Sequence, residues 1–296
     1  MKEQRNAFAK LASSMAIFGS IGIFVRYIPL DSSLIALIRA VVGVAFLLVT
    51  LCVKKITLSR QAIRVNLPYL CCSGVAIGFN WILLFESYRH TSVAVSTLCY
   101  YMAPIIVILL SPILLKEKLS GRKVLCVVTA LTGMVFLSGI ISTGISGIEE
   151  MKGILLGLGA AVLYASAILM NKKLQRIGSF DRTVTQLSVA ALVLLPYTLF
   201  TMEVTAENLT IPVLGLLAVV GVVHTGVAYF LYFGSMEHLS GQTIAIGSYI
   251  DPVVAVIASV VLLREPFSVK EGIGAVLILG AAIVSELPDR KKECPL

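Results

Sequence analysis

Two stretches decide the reading: LLFESYRHTSVAVSTLCYYMAPIIVILLSPILLKEKLS at residues 83–120 and YFLYFGSMEHLSGQTIAIGSYIDPVVAVIASVVLLREPFS at residues 229–268. Set against each other at an offset of 148, residues 85–123 and 233–271 share 11 identities in 39 gap-free columns. They include His90/His238, Ser92/Ser240, Tyr101/Tyr249, Pro104/Pro252, Leu114/Leu262, Leu115/Leu263 and Glu117/Glu265. Chance in so biased a composition gives about three or four identities, and hydrophobicity does not explain the polar ones. The spacing from the mid-helix proline to the glutamate is the same in both copies. The chain therefore reads as two repeats, 1–148 and 149–296.

Working outward, the rest of the chain is as apolar as these stretches. It is 58% hydrophobic and 14% charged over 296 residues, with a mean hydropathy of +0.96. A soluble domain carries about 25% charged residues, so the composition belongs to a membrane protein. Apolar stretches between polar breaks give ten expected spans: 11–29, 34–53, 68–88, 93–115, 122–142, 152–172, 182–202, 211–235, 241–263 and 270–288. Each is near the roughly 20 residues that cross a hydrocarbon core. No cleavable signal peptide is expected, since the first run is long and more spans follow it. The fold class expected is an all-α membrane protein of ten transmembrane helices in two five-helix repeats. An odd number of spans per repeat turns the second copy upside down, and inverted repeats are a transporter signature with the substrate site near the midplane.

The 24 Lys and Arg residues give the orientation. With a cytoplasmic N-terminus, 18 fall inside, five fall outside (Arg26, Arg89, Lys152, Arg264, Lys270), and Arg39 lies within a span. This bias predicts both termini on the cytoplasmic side of the cytoplasmic membrane. The net charge of +8 comes from short clusters between apolar runs. Nothing interleaves with aromatics as a nucleic-acid surface requires, so no nucleic acid is expected. The six cysteines show no CxxC spacing, and no metal or other cofactor is expected.

The two quoted stretches carry a resemblance to a known family. Each has an aromatic-rich helix, a Thr-Ser or Leu-Ser break, then a helix with a central proline ending in Leu-Leu-(Lys/Arg)-Glu. In these features the chain resembles the EamA-like family of the drug/metabolite transporter superfamily over nearly its whole length. A basic residue early in the second helix is a further hallmark, matched by Arg39, whereas the second copy carries Gln186 there. Many relatives have Glu before the second proline, where this chain has Asp251. The resemblance implies ten helices in two inverted halves. It also implies a carrier, mostly of exported metabolites, with choline and nucleotide-sugar carriers among the relatives.

Polar groups at membrane depth mark the expected site, because an ionisable residue there costs several kcal/mol (about 3 or more) unless it is paired or wet. Asp251 falls about ten residues into its span, at the midplane, beside a proline that breaks the helical ladder. It could bind a cation, carry a proton or pair with Arg39. Arg39 could instead hold a substrate carboxylate. His224 is mid-span, able to shuttle protons or to be a neutral interhelical hydrogen bonder. Asn80, Trp81, Tyr101 and Tyr249 complete the expected substrate site, the aromatics as a cage for an ammonium group. Tyr100, Tyr229 and Tyr232 could belong to the cage or to helix packing. Glu86 fits a hydrated span end, and Glu117 and Glu265 fit a structural or gating lock better than a binding site.

An intramembrane enzyme would need a nucleophile and base or a metal set, and no HExxH motif is present. A proline-broken midplane between inverted halves favours a carrier over an open channel. With no GxxxxGK[ST] motif, coupling to protons or downhill transport is expected. The expected function is alternating-access transport of small polar or amphipathic metabolites, with export of amino acids or amines leading and uptake of a choline-like quaternary ammonium as the alternative. The expected partners are the small-molecule substrate, the lipid bilayer and protons. Glycine-rich faces already serve to pack ten helices, so they carry no information on a homo-oligomer.

Overall fold

The computed structural model describes residues 2–25, 27–90, 96, 99–137, 148–201, 209–263 and 269–286. Arg26, Arg264, Glu265, the basic residues 290–292 and the expected span edges 93–95, 97–98, 138–142, 202 and 287–288 lie outside the described residues.

The helices are α1 (Lys2–Val25), α2 (Ser32–Lys54), α3 (Arg60–His90), α4 (Ala103–Leu114), α5 (Gly121–Leu137), α6 (Ile148–Lys172) and α7 (Ser179–Thr201). They continue as α8 (Ile211–Gly221), a π-helical segment (Val222–Val227), α9 (Ala228–Ser235), α10 (Gly241–Gly247), α11 (Ile250–Leu263) and α12 (Val269–Glu286). No strand occurs among the described residues. Seven stretches are long and apolar enough to cross a membrane: Glu3–Val25, Ser32–Lys54, Arg60–Ser87, Met151–Lys172, Ser179–Thr201, Ile211–Ser235 and Gly241–Leu262. Ala103–Leu114 and Gly272–Ala281 are shorter apolar helices. The all-helical membrane class is thus present, with seven long apolar helices and two shorter ones among the described residues.

The expected helix break near the second proline takes a different form. A proline inside a helix leaves the carbonyl four residues back without a partner. That carbonyl belongs to Ser248, and the Asp251 N–H takes it up at 3.3 Å. The Tyr249 N–H likewise bonds Ile246 O at 3.2 Å, so the chain turns tightly at Ser248–Tyr249 and restarts as α11 at Ile250. Pro252 then occupies the first turn of a new helix, where a missing N–H costs nothing. The first repeat breaks at the matching place: Tyr101–Met102 form a turn, and α4 starts at Ala103 just ahead of Pro104.

The closest helix pairings all join a helix from residues 2–137 to one from 148–286. Thus α3 packs on α6 and α7, α1 on α9 and α11, α2 on α7 and the π-helical segment, and α5 on α12. Small residues sit at these crossings, as membrane helices require for close approach. Gly43 of α2 has Gly221 O and Gly226 N 3.1 and 3.2 Å from where a Cβ would stand. A Cβ on Gly19 of α1 would clash with the Asp251 carbonyl, so α1 can lie against the start of α11 only with glycine there.

Candidate functional site

The interleaved packing draws the expected site residues into the interior, between the helices. Trp81, Tyr101, Tyr249, Asn80, Arg39 and His224 are all buried, and Asp251 is half-buried. Asp251 sits in the first turn of α11, where the positive end of the helix dipole favours a carboxylate. The Tyr101 hydroxyl and that carboxylate interact electrostatically. The Tyr249 hydroxyl donates to Tyr101 O at 2.9 Å, and the two rings lie 5.9 Å apart. These repeat-related tyrosines therefore meet each other at the two helix breaks.

From this pair a chain of aromatic rings crosses the protein. Tyr101 leads to Tyr100 (5.5 Å), Tyr100 stacks on Tyr164 (5.4 Å), and Tyr164 stacks on Tyr232 (6.5 Å). The last two also share a hydroxyl–hydroxyl hydrogen bond of 2.9 Å. Tyr232 leads to Tyr229 (6.4 Å), and Tyr229 to Trp81 (5.8 Å). Phe18 packs edge-on against Tyr229 at 4.9 Å and closes the wall from α1. Tyr164, Phe18 and Thr225 went unnoticed in the sequence, because nothing in their local context separates them from residues packed between helices.

Arg39 stands at the other end of this chain of rings. Its guanidinium lies 4.5 Å from the Trp81 ring centroid, and its Nε donates to Thr225 Oγ1 at 3.0 Å. Only 8% of the residue is exposed, yet among the described residues no carboxylate pairs with it. Of the alternatives open for Asp251, a direct ion pair with Arg39 is not among the ion pairs of the described residues. A buried cation without a counter-ion is costly unless something else compensates it. Stacking on Trp81 supplies about 2 kcal/mol when desolvated, part of that compensation. The π-helical segment makes the remaining contact possible: Thr225 Oγ1 donates to Val220 O, five residues back, at 3.0 Å, and so faces Arg39. Such one-turn expansions recur at functional sites.

Asn80 donates to Ala160 O at 2.7 Å, stapling α3 to α6, and also lines a small cavity with Tyr164, Tyr229 and Tyr232. The free volume there is about 10 Å³, room for at most one water. His224 contacts Ser20 Oγ at 3.1 Å through Nε2 and packs on Phe24 at 4.7 Å, the arrangement of an interhelical hydrogen bonder. Glu86 is tied near its helix end by Tyr197, whose hydroxyl donates at 2.6 Å, and by Arg89 at 3.3 Å.

Glu117 does something more specific. Its two carboxylate oxygens accept the N–H groups of Gly241 and Gln242 at 2.8 and 3.3 Å, capping the first turn of α10 from the other repeat. Lys123 donates to Ser240 Oγ at 3.0 Å beside it. Lys172 donates to Met236 O and Leu239 O at 2.9 and 2.6 Å, and Arg182 to Phe233 O at 3.0 Å. The connection between α9 and α10 is thus latched by four side chains.

Known proteins resemble this chain in sequence and fold. The model of the EamA-like transporter family matches residues 8–139 and again residues 151–286. An uncharacterized transporter of Bacillus subtilis, YxxF, is 29% identical over 281 residues, covering 94% of this chain and 88% of that protein. An uncharacterized transporter of Clostridium kluyveri is 23% identical, covering 83% and 81% of the two chains. Protein PecM of Dickeya dadantii is 27% identical, covering 74% and 75%. A solved crystal structure superposes with a TM-score of 0.82 over 95% of this chain and 96% of that one, at 20% identity, a likeness of fold.

Proposed function

The chain belongs to the EamA-like transporter family, and from that premise we propose that it carries a zwitterionic amino acid or a related amine across the cytoplasmic membrane, in the export direction, by alternating access. The observation that carries this reading is Arg39, a buried cation with no carboxylate partner among the described residues, joined through successive aromatic contacts to the Tyr101–Tyr249 pair beside Asp251. Arg39 would take the substrate carboxylate, Asp251 the ammonium group, and Trp81, Tyr229, Tyr101 and Tyr249 the body of the molecule. When the ammonium leaves, Asp251 would accept a proton, which couples transport to the proton gradient. His224, already bonded between helices, is the second candidate for that proton.

The architecture that goes with this function is two inverted five-helix halves, 1–148 and 149–296, with both termini cytoplasmic. Exchanging the halves turns the α3–α6 pairing into α9–α1, α3–α7 into the π-helical segment on α2, and α4–α6 into α11–α1, all of them pairings of this structure. The α2–α7, α4–α10 and α5–α12 pairings map onto themselves. A chamber with room for one water must open to admit substrate, and the Glu117 latch is what would release on one face.

Counterflow of radiolabelled amino acids in proteoliposomes tests this. Uptake by the wild-type protein that vanishes in Arg39→Gln and in Asp251→Asn is expected. The continuous aromatic wall also suits a choline-like quaternary ammonium, the second reading. Choline counterflow that survives Arg39→Gln would replace the first reading with it.

A further inference from the structure

A second cavity lies at the end of the bundle where α6 meets α7, away from the aromatic chamber. Its volume is about 310 Å³, at the lower end of small-molecule sites. Lys172, Arg176 and Arg182 line it against one carboxylate, Glu237, which is exposed and pairs with none of them among the described residues. Asp181 is also close, but its Oδ1 accepts the Ser59 N–H at 2.9 Å on the other side.

Arg182 is the informative residue. It is 5% exposed and donates only Nη1, to Phe233 O, while its Nε is buried with no partner. A guanidinium with one bond from three nitrogens carries desolvated charge that a bidentate anion would satisfy. Lys172 has one ammonium hydrogen left after its two carbonyl bonds. Arg176 is held with φ 47 in the connection and is exposed at the cavity. Met236, which is buried, lines both this cavity and the aromatic one.

We propose that this cavity is an anion-binding vestibule, holding a carboxylate or phosphate group between Arg182, Arg176 and Lys172, and sharing Met236 with the aromatic cavity. A soluble solute and a lipid headgroup both carry such an anion, and the two sources are separable.

The test titrates inorganic phosphate against the full-length protein in phosphatidylcholine nanodiscs, at ionic strength held constant with sodium chloride, reading the melting temperature. A rise at millimolar phosphate is expected from binding to the folded state. Arg176→Gln, at an exposed side chain with no described bond, should weaken the apparent affinity about tenfold, and Arg182→Gln should remove the rise. Repeating the titration with phosphatidylglycerol in the nanodisc names the source. A phosphate response lost there assigns the site to a lipid headgroup, and one that persists assigns it to a soluble anion. No rise in phosphatidylcholine, a rise untouched by both variants, or a rise abolished by Arg39→Gln overturns the vestibule. Since Arg39 belongs to the central chamber alone, failure here leaves the amino-acid reading standing, and failure of that reading leaves this one.

Discussion

Two helix crossings in this protein occupy corresponding places and do opposite things. Where α2 meets the π-helical segment, Arg39 holds Thr225 and Trp81 and keeps an uncompensated charge. Where α7 meets α3, Gln186 donates to Ser73 Oγ at 2.5 Å and to Asn171 Oδ1 at 3.0 Å, a neutral staple. The helix breaks show the same contrast. Asp251 precedes Pro252, whereas the aligned residue before Pro104 is Ala103, fully buried. Yet Tyr101/Tyr249, Pro104/Pro252 and Glu117/Glu265 are kept in both copies. Among the described residues, what the copies share builds the two helix breaks and, at Glu117, a cap on α10. What they do not share, one cation and one anion, is what a substrate with two charged ends would meet.

The first way to break this contrast is to make the neutral crossing charged. Gln186→Arg puts a buried guanidinium among groups that cannot neutralise it, and a loss of about 3–5 kcal/mol of stability is expected, read as a lower melting temperature in detergent. Making the charged crossing neutral should do the reverse to stability and end transport. Arg39→Gln is expected to melt no lower than wild type, since it removes a buried unpaired charge, while its counterflow rate falls about 100-fold. A variant that melts much lower would mark Arg39 as structural.

Two smaller changes sharpen the account of the shared parts. Glu117→Gln weakens a charge-assisted cap on α10, and a shift of about 1–2 kcal/mol toward the state open on that face is expected, seen as faster labelling of a cysteine placed at Met236. Tyr164→Phe removes the hydroxyl bond to Tyr232 but keeps the ring, and should cost only about 1 kcal/mol with substrate selectivity unchanged.

Much of this was legible in the sequence for physical reasons. Runs of about 20 apolar residues can only be spans, and a charge at the middle of one is conspicuous, so Asp251 and Arg39 stood out before any coordinates. The repeat was legible because Tyr101/Tyr249 and Pro104/Pro252 are not hydrophobic filler. Other features left no trace. A π-helical segment adds one residue to a turn without altering hydropathy, so Thr225 beside Arg39 could not be read. Tyr164 looks like any tyrosine between helices until its stack with Tyr100 is seen. The break at Ser248–Tyr249 was expected at the proline, because sequence shows the residue that cannot donate and not the N–H that takes up its orphaned carbonyl.

The most direct test of the central claim compares an amino acid with its methyl ester and its decarboxylated amine as stabilisers of the purified protein. If Arg39 and Asp251 hold the two ends of one substrate, the amino acid raises the melting temperature of wild type, the ester and amine raise it less, and Arg39→Gln erases the difference among the three. If the amino acid stabilises Arg39→Gln as well as it does wild type, Arg39 does not hold the carboxylate and the two-ended site is wrong.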